Sequence, residues 1–138
     1  MSFDVPYAIT QNLGKVSFAA ARERVTAALR GEGFGVITEI DLQSTFRAKL
    51  GRETRPYLIL GACNPQLASQ ALEILPESGL MLPCNVVITE DEHGDVLVAA
   101  ASPKAMFQMV GDPGGLAVIA ADAETRLRRA VAVLGAGA

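Results

Sequence analysis

Tyr57-Leu58-Ile59-Leu60-Gly61-Ala62-Cys63-Asn64-Pro65 is the stretch on which the fold turns. Its first seven residues carry no charge and no strongly polar group, a pattern that suits a central strand covered on both faces. Asn64-Pro65 then switches the chain into a helix. The Asn side chain can accept the free N–H groups of a first turn, and Pro at the first helical position gives up a donor that had no partner. Leu67, Ala68, Ala71, Leu72 and Leu75 follow at helical spacing as a buried stripe, and Pro76 and Gly79 end it.

Towards the N-terminus, residues 34–40 are rich in β-branched side chains and predict a second strand. Asp41 caps a short basic helix over residues 42–50, closed by Gly51. Val5, Tyr7 and Ile9 alternate as in an amphipathic first strand running to Leu13. Ser17 caps the next helix, in which Phe18, Ala21, Val25, Ala28 and Leu29 share a face until Gly31 and Gly33 stop it. Towards the C-terminus, residues 82–90 and 96–101 read as an antiparallel hairpin joined through residues 91–95. A short helix carrying Met106, Phe107 and Met109 follows Pro103. After the Gly111-Asp112-Pro113-Gly114-Gly115 break, Leu116, Ile119, Ala123, Leu127, Val131 and Leu134 keep one apolar face through a long final helix. The order β-α-β-α-β-α-β-β-α-α favours an α+β fold, a single two-layer sandwich with helices on a mixed or antiparallel sheet of about five strands. A small doubly wound α/β fold is the alternative.

At 138 residues the chain has the size of one domain, about 100–200 residues, so residues 1–138 are read as a single unit. Its hydrophobic content of 50% against 20% charged residues gives enough apolar surface to offset the entropy lost on folding. A net charge of -3, with five Phe, two Tyr and no Trp, argues against nucleic acid as a partner: there is no field to gather a polyanion and little to stack a base on. No secretory start and no apolar run of about 20 residues is present, so a membrane is excluded as a partner and a cytoplasmic location is expected, with reduced cysteines.

The chemistry-bearing residues centre on a repeated pair, Cys63-Asn64 and Cys84-Asn85. Cys63 precedes a capped helix start, where the dipole and free N–H groups favour a thiolate; against this, free cysteines are commonly buried as small hydrophobes. Cys84 opens a strand in which Leu82, Cys84, Val86 and Ile88 share one face. A parallel crossover would hold the two thiols about 15–20 Å apart, whereas an antiparallel return could bring them together. Glu39 and Asp41 point to one side of their strand, and adjoin Cys63 if the second and third strands run parallel.

No metal is assigned. Cys-x-x-Cys is absent, the single histidine, His93, sits in a turn, and a closed zinc site needs four ligands. The remaining option is an open site joining Cys63 and Cys84 to Glu39 or Asp41. Arg47, Lys49, Arg52 and Arg55 crowd one segment that is either a solvated face or a holder of a carboxylate or phosphate. No cofactor follows from any of these residues.

The runs Thr45–Gly51, Tyr57–Pro65 and Leu80–Val86 resemble the bacterial and archaeal domain-of-unknown-function family 302, over nearly the whole chain. Gly61-Ala62-Cys63-Asn64-Pro65 and Leu82-Pro83-Cys84 are the specific part. The resemblance implies a small two-layer α/β domain and carries over no reaction. It points to Cys63, Asn64, Pro65, Cys84 and Lys49 as the place for a site, with Arg47 keeping a charge where relatives would have Lys.

Two functions are expected from this. One is a small-ligand or thiol-based binding domain with a pocket at Cys63, Asn64 and Cys84, holding a small anion through Lys49 or Arg47. The other is a structural or interaction module, a homodimer, with both cysteines in the core and Ala-rich faces such as Ala19–Ala21 and Ala120–Ala123 docking helices.

Overall fold

The computed structural model describes residues 3–136. In chain order these form β1 (Ala8–Gly14), α1 (Phe18–Gly31), β2 (Gly35–Asp41), α2 (Leu42–Leu50), β3 (Tyr57–Cys63) and α3 (Pro65–Ile74). A 3-10 segment (Pro76–Met81), β4 (Cys84–Glu90), β5 (Val96–Ala101), α4 (Pro103–Phe107), two 3-10 turns and α5 (Leu116–Ala136) complete it. The strands make one sheet in the order β1-β5-β4-β3-β2, with every neighbouring pair antiparallel. The fold is α+β, helices on a fully antiparallel sheet; the mixed-sheet and doubly wound options fall.

Local chemistry sets the element boundaries. Ser17, Asp41, Asn64 and Ser102 each precede a helix and accept a first-turn backbone N–H, from Ala20, Ser44, Leu67 and Ala105 respectively, which satisfies donors that no helix can satisfy internally. Gly51 closes α2 in the left-handed conformation. The first strand begins at Ala8 rather than Val5, because the chain turns there and Ala8 N–H bonds to the Val5 carbonyl. β3 lies between β4 and β2, so β4, not β3, is the middle strand.

The register sorts the sheet into two unlike faces. Leu58, Leu60, Ala62, Val86, Ile88, Val98 and Ala100 are buried against Ala21, Val25, Leu29, Leu127 and Val131 of α1 and α5. Pairing puts Ile40 with Ile59 and Val87 with Ile59 and Ala99, on the opposite side. There Ile59, Val87 and Leu97 are only half-buried and Ile40 is 48% exposed, whereas Leu60 and Ile88 are completely enclosed. Helices α1, α3 and α4 all pack with α5, and α2 contributes no buried residue.

A buried carboxylate ties α4 to α5. Glu124, 5% exposed, accepts hydrogen bonds from Ser102 Oγ at 2.6 Å and Lys104 N at 3.2 Å, and Arg128 lies 2.7 Å from its second oxygen. The carboxylate thus meets first-turn donors of a five-residue helix too short to persist alone. Glu124→Gln should cost roughly 1–2 kcal/mol, measured as a shift of the urea midpoint at unchanged slope; an unmoved midpoint would show that α4 is held by packing alone.

Candidate functional site

Asn64 and Cys84 meet at one end of the sheet because β3 and β4 run antiparallel. Ala62 pairs with Cys84 and Gly61 with Asn85. Paired residues share a face and successive residues alternate, so Cys84 points with Ala62 towards the helices, while Cys63 points with Gly61 to the uncovered side. The antiparallel return brings the two cysteines to neighbouring strand ends, yet the pleat aims their thiols apart. Both are free and half-buried.

Cys84 is the better defined of the two. Burial, with the nearby Cys63 as a second contribution, pushes its thiol from 9.0 up to about 11, so it is a neutral thiol near pH 7 and not a poised nucleophile. For Cys63, the helix start is already largely satisfied: Pro65 has no N–H, Asn64 Oδ1 accepts from Leu67 N at 3.2 Å, and Ala68 N–H bonds to the Asn64 carbonyl. Gly33 leaves the room that the Asn64 amide fills: a Cβ there would stand 2.9 Å from Asn64 Nδ2.

Two adjacent hollows border Cys84. The outer one, about 130 Å³, opens between Leu80–Leu82 and Met106–Phe107, with Asn85 on its rim. The inner one, about 40 Å³, runs under α3 and α5 past Phe34, Asn64, Leu67 and Leu116. Leu82, Cys84, Pro103 and Phe107 line both. The inner hollow is almost wholly apolar and the outer one about half polar, an apolar pocket with polar groups at one side, the general character of a small-molecule site, at the small end in size.

The other sequence candidates lie elsewhere. Because β2 and β3 are antiparallel, Asp41 pairs with Leu58 and Gly35 with Cys63, which puts the carboxylates towards the far end of β3 instead of beside Cys63. A seven-residue strand spans about 20 Å. Glu39 is gripped by Arg22, with Nε to Oε1 at 2.7 Å, and Asp41 caps α2. α2 carries Arg47 and Lys49 at that same far end; Arg47 is ion-paired with Glu53 at 3.0 Å and Lys49 is exposed. The basic cluster and the cysteines therefore cannot grip one small anion. The open metal site fails for the same reason, and among the described residues no three His, Cys, Asp or Glu side chains are grouped as metal ligands. His93 is exposed beside Glu92.

Sequence reasoning missed the walls of the hollow, Met81, Met106, Phe107 and Pro103. A signal was present: Met81, Met106 and Met109 all fall within the segments flanking the hairpin, and methionine fills irregular apolar surfaces.

The family model described as Domain of unknown function DUF302 matches residues 9–134. The chain belongs to this family. A solved relative, described as the crystal structure of an uncharacterized conserved DUF302 protein from Bacillus stearothermophilus, is 28% identical and superposes with a TM-score of 0.84 over 93% of this chain and 98% of that one. No curated protein matches. The matched DUF302 region takes in both cysteines, Asn64 and the hollow around Cys84. Among the described residues, no helix of this DUF302 chain is long and apolar enough to cross a membrane.

Proposed function

We propose that this DUF302 chain is a small-ligand binding domain whose occupant enters between the 3-10 segment and α4 and seats against Cys84. The observation that carries the reading is the wall the two hollows share, Leu82, Cys84, Pro103 and Phe107. Their volumes, far below the roughly 300–1,000 Å³ of drug-sized sites, fit a compact apolar molecule or the apolar end of a longer one. Asn64 and Asn85 supply the polar contacts. A neutral Cys84 thiol serves this role as a small hydrophobe.

Benzyl alcohol, titrated into 15N-labelled protein, should move the amide signals of Leu82, Cys84, Phe107 and Leu116 together. Ala68→Leu, which extends a side chain into the inner hollow, should abolish those shifts while leaving the melting temperature within a few degrees. Shifts scattered over the surface, or unchanged in Ala68→Leu, would defeat the reading.

A second reading, the homodimer, is favoured by a separate observation, the uncovered sheet face. Of the Ala-rich faces, Ala120 and Ala123 are spent inside the fold, at 5% and 8% exposure, whereas Ala19 and Ala20 are exposed on α1.

A further inference from the structure

We propose that the uncovered face of the sheet is the interface of a homodimer, two copies stacking sheet on sheet through Ile40, Ile59, Val87 and Leu97; the inference rests on the homodimer reading and assigns it a surface. The sequence pattern is the first argument. β3, β4 and β5 carry apolar residues on both faces: Leu58 and Leu60 are buried under the helices, and Ile59 lies between them on the other side. Val86 and Ile88 flank Val87 in the same way, and Val96 and Val98 flank Leu97. Strands that are apolar at successive positions are those covered on both sides, whereas a half-solvated antiparallel strand alternates apolar with polar. Here one layer of helices covers one side only.

Charge is the second argument, and it selects the occupant. Alternation assigns to this face Ala8, Thr10 and Asn12 from β1, and Thr38 and Ile40 from β2. Tyr57, Ile59, Gly61 and Cys63 come from β3, Asn85, Val87 and Thr89 from β4, and Leu97, Ala99 and Ala101 from β5. None of these is Asp, Glu, Lys or Arg. Charge enters at the margin, where Asp95 accepts from Asn12 at 3.2 Å and is paired with Lys15; the strand residues of a second copy bring no charge against those of the first, and an uncharged face is complementary to itself. Ile59, Val87 and Leu97 occupy the inner strands, and the edge strands carry Thr10, Asn12 and Thr38 with Ile40, an apolar centre with a largely polar rim.

Area is the third. Five strands about 4.8 Å apart and about 20 Å long present roughly 500 Å². Two copies then remove about 1,000 Å² from solvent, the lower limit for a specific interface. Stacked sheets sit about 10 Å apart, a spacing that Ile, Val and Leu side chains from both copies fill.

Sedimentation equilibrium over a wide concentration range, on the wild type, Ile40→Lys, Val87→Lys and Val118→Lys, tests this, with circular dichroism to establish that each variant is folded. The expected result is a wild-type dimer, a dissociation constant raised by about a hundredfold or more in Ile40→Lys and Val87→Lys through an unpaired ammonium taken out of water, and an unchanged dimer in Val118→Lys. Val118 is 73% exposed on α5, in the helix layer on the other side of the sheet. A dimer that survives both face substitutions overturns the assigned surface and leaves the homodimer reading standing. A monomeric wild type overturns both.

Discussion

Iodoacetamide should modify Cys84 in the folded Cys63→Ser protein at neutral pH about a hundredfold more slowly than it modifies an unhindered thiol. The reacting species is the thiolate, and each unit of pKa removes a factor of ten from its population. Burial beside Phe34, Leu67 and Leu116 takes the thiol from 9.0 to about 11, two factors of ten. The same shift links folding to pH. The folded chain holds the Cys84 proton more tightly than the unfolded chain does, so this contribution to stability is complete below about pH 9 and drains away as pH rises towards about 11. Its full size is roughly 2–3 kcal/mol. Urea titrations across that window should show a loss in wild type that is absent in Cys84→Ala, which isolates it from tyrosine and lysine titration. Labelling at the rate of a free thiol, together with identical pH dependence in the two proteins, would place Cys84 in contact with solvent.

That expectation differs from the one the sequence alone supports, in which Cys63 is the reactive thiol. Asn64-Pro65 was legible as a helix start because capping is local chemistry, contained within four residues. The same locality made Ser17, Asp41 and Gly51 legible as element boundaries. What a capping motif does not reveal is how many helix N–H groups remain for a thiolate once Asn64 and Pro65 have been counted, nor that alternation aims Cys63 away from the helices. The direction of a strand pair is likewise a property of the whole fold. Glu39 and Asp41 could adjoin Cys63 only in a parallel pair, and nothing within residues 34–65 distinguishes a parallel from an antiparallel return. The apolar run of β3 had the converse problem. It correctly signalled two apolar faces, but sequence does not say whether the second face is covered by the chain's own helices or by another copy.

Gly33→Ala should destabilise the fold by about 2–3 kcal/mol and alter the hollow at Cys84 at the same time, an outcome that couples the backbone to the site. Gly33 follows α1 with φ of +85°, a conformation that costs an alanine about 1–2 kcal/mol. The added methyl would also stand 2.9 Å from Asn64 Nδ2, so the amide must move. That amide is the cap of α3: its Oδ1 holds Leu67 N–H at 3.2 Å, and losing an Asn cap costs about 1 kcal/mol. Asn64 and Leu67 both line the inner hollow, so a displaced cap carries the start of α3 with it. Denaturant unfolding should give the loss of stability, and benzyl alcohol titration a weakened response at Leu82 and Cys84. Asn64→Ala separates the two causes, since it removes the cap and leaves Gly33 unstrained; it should show only the cap's share of the lost stability. If Gly33→Ala costs no more than Asn64→Ala, the left-handed turn is not strained by a side chain, and the coupling between the end of α1 and the site runs through the cap alone.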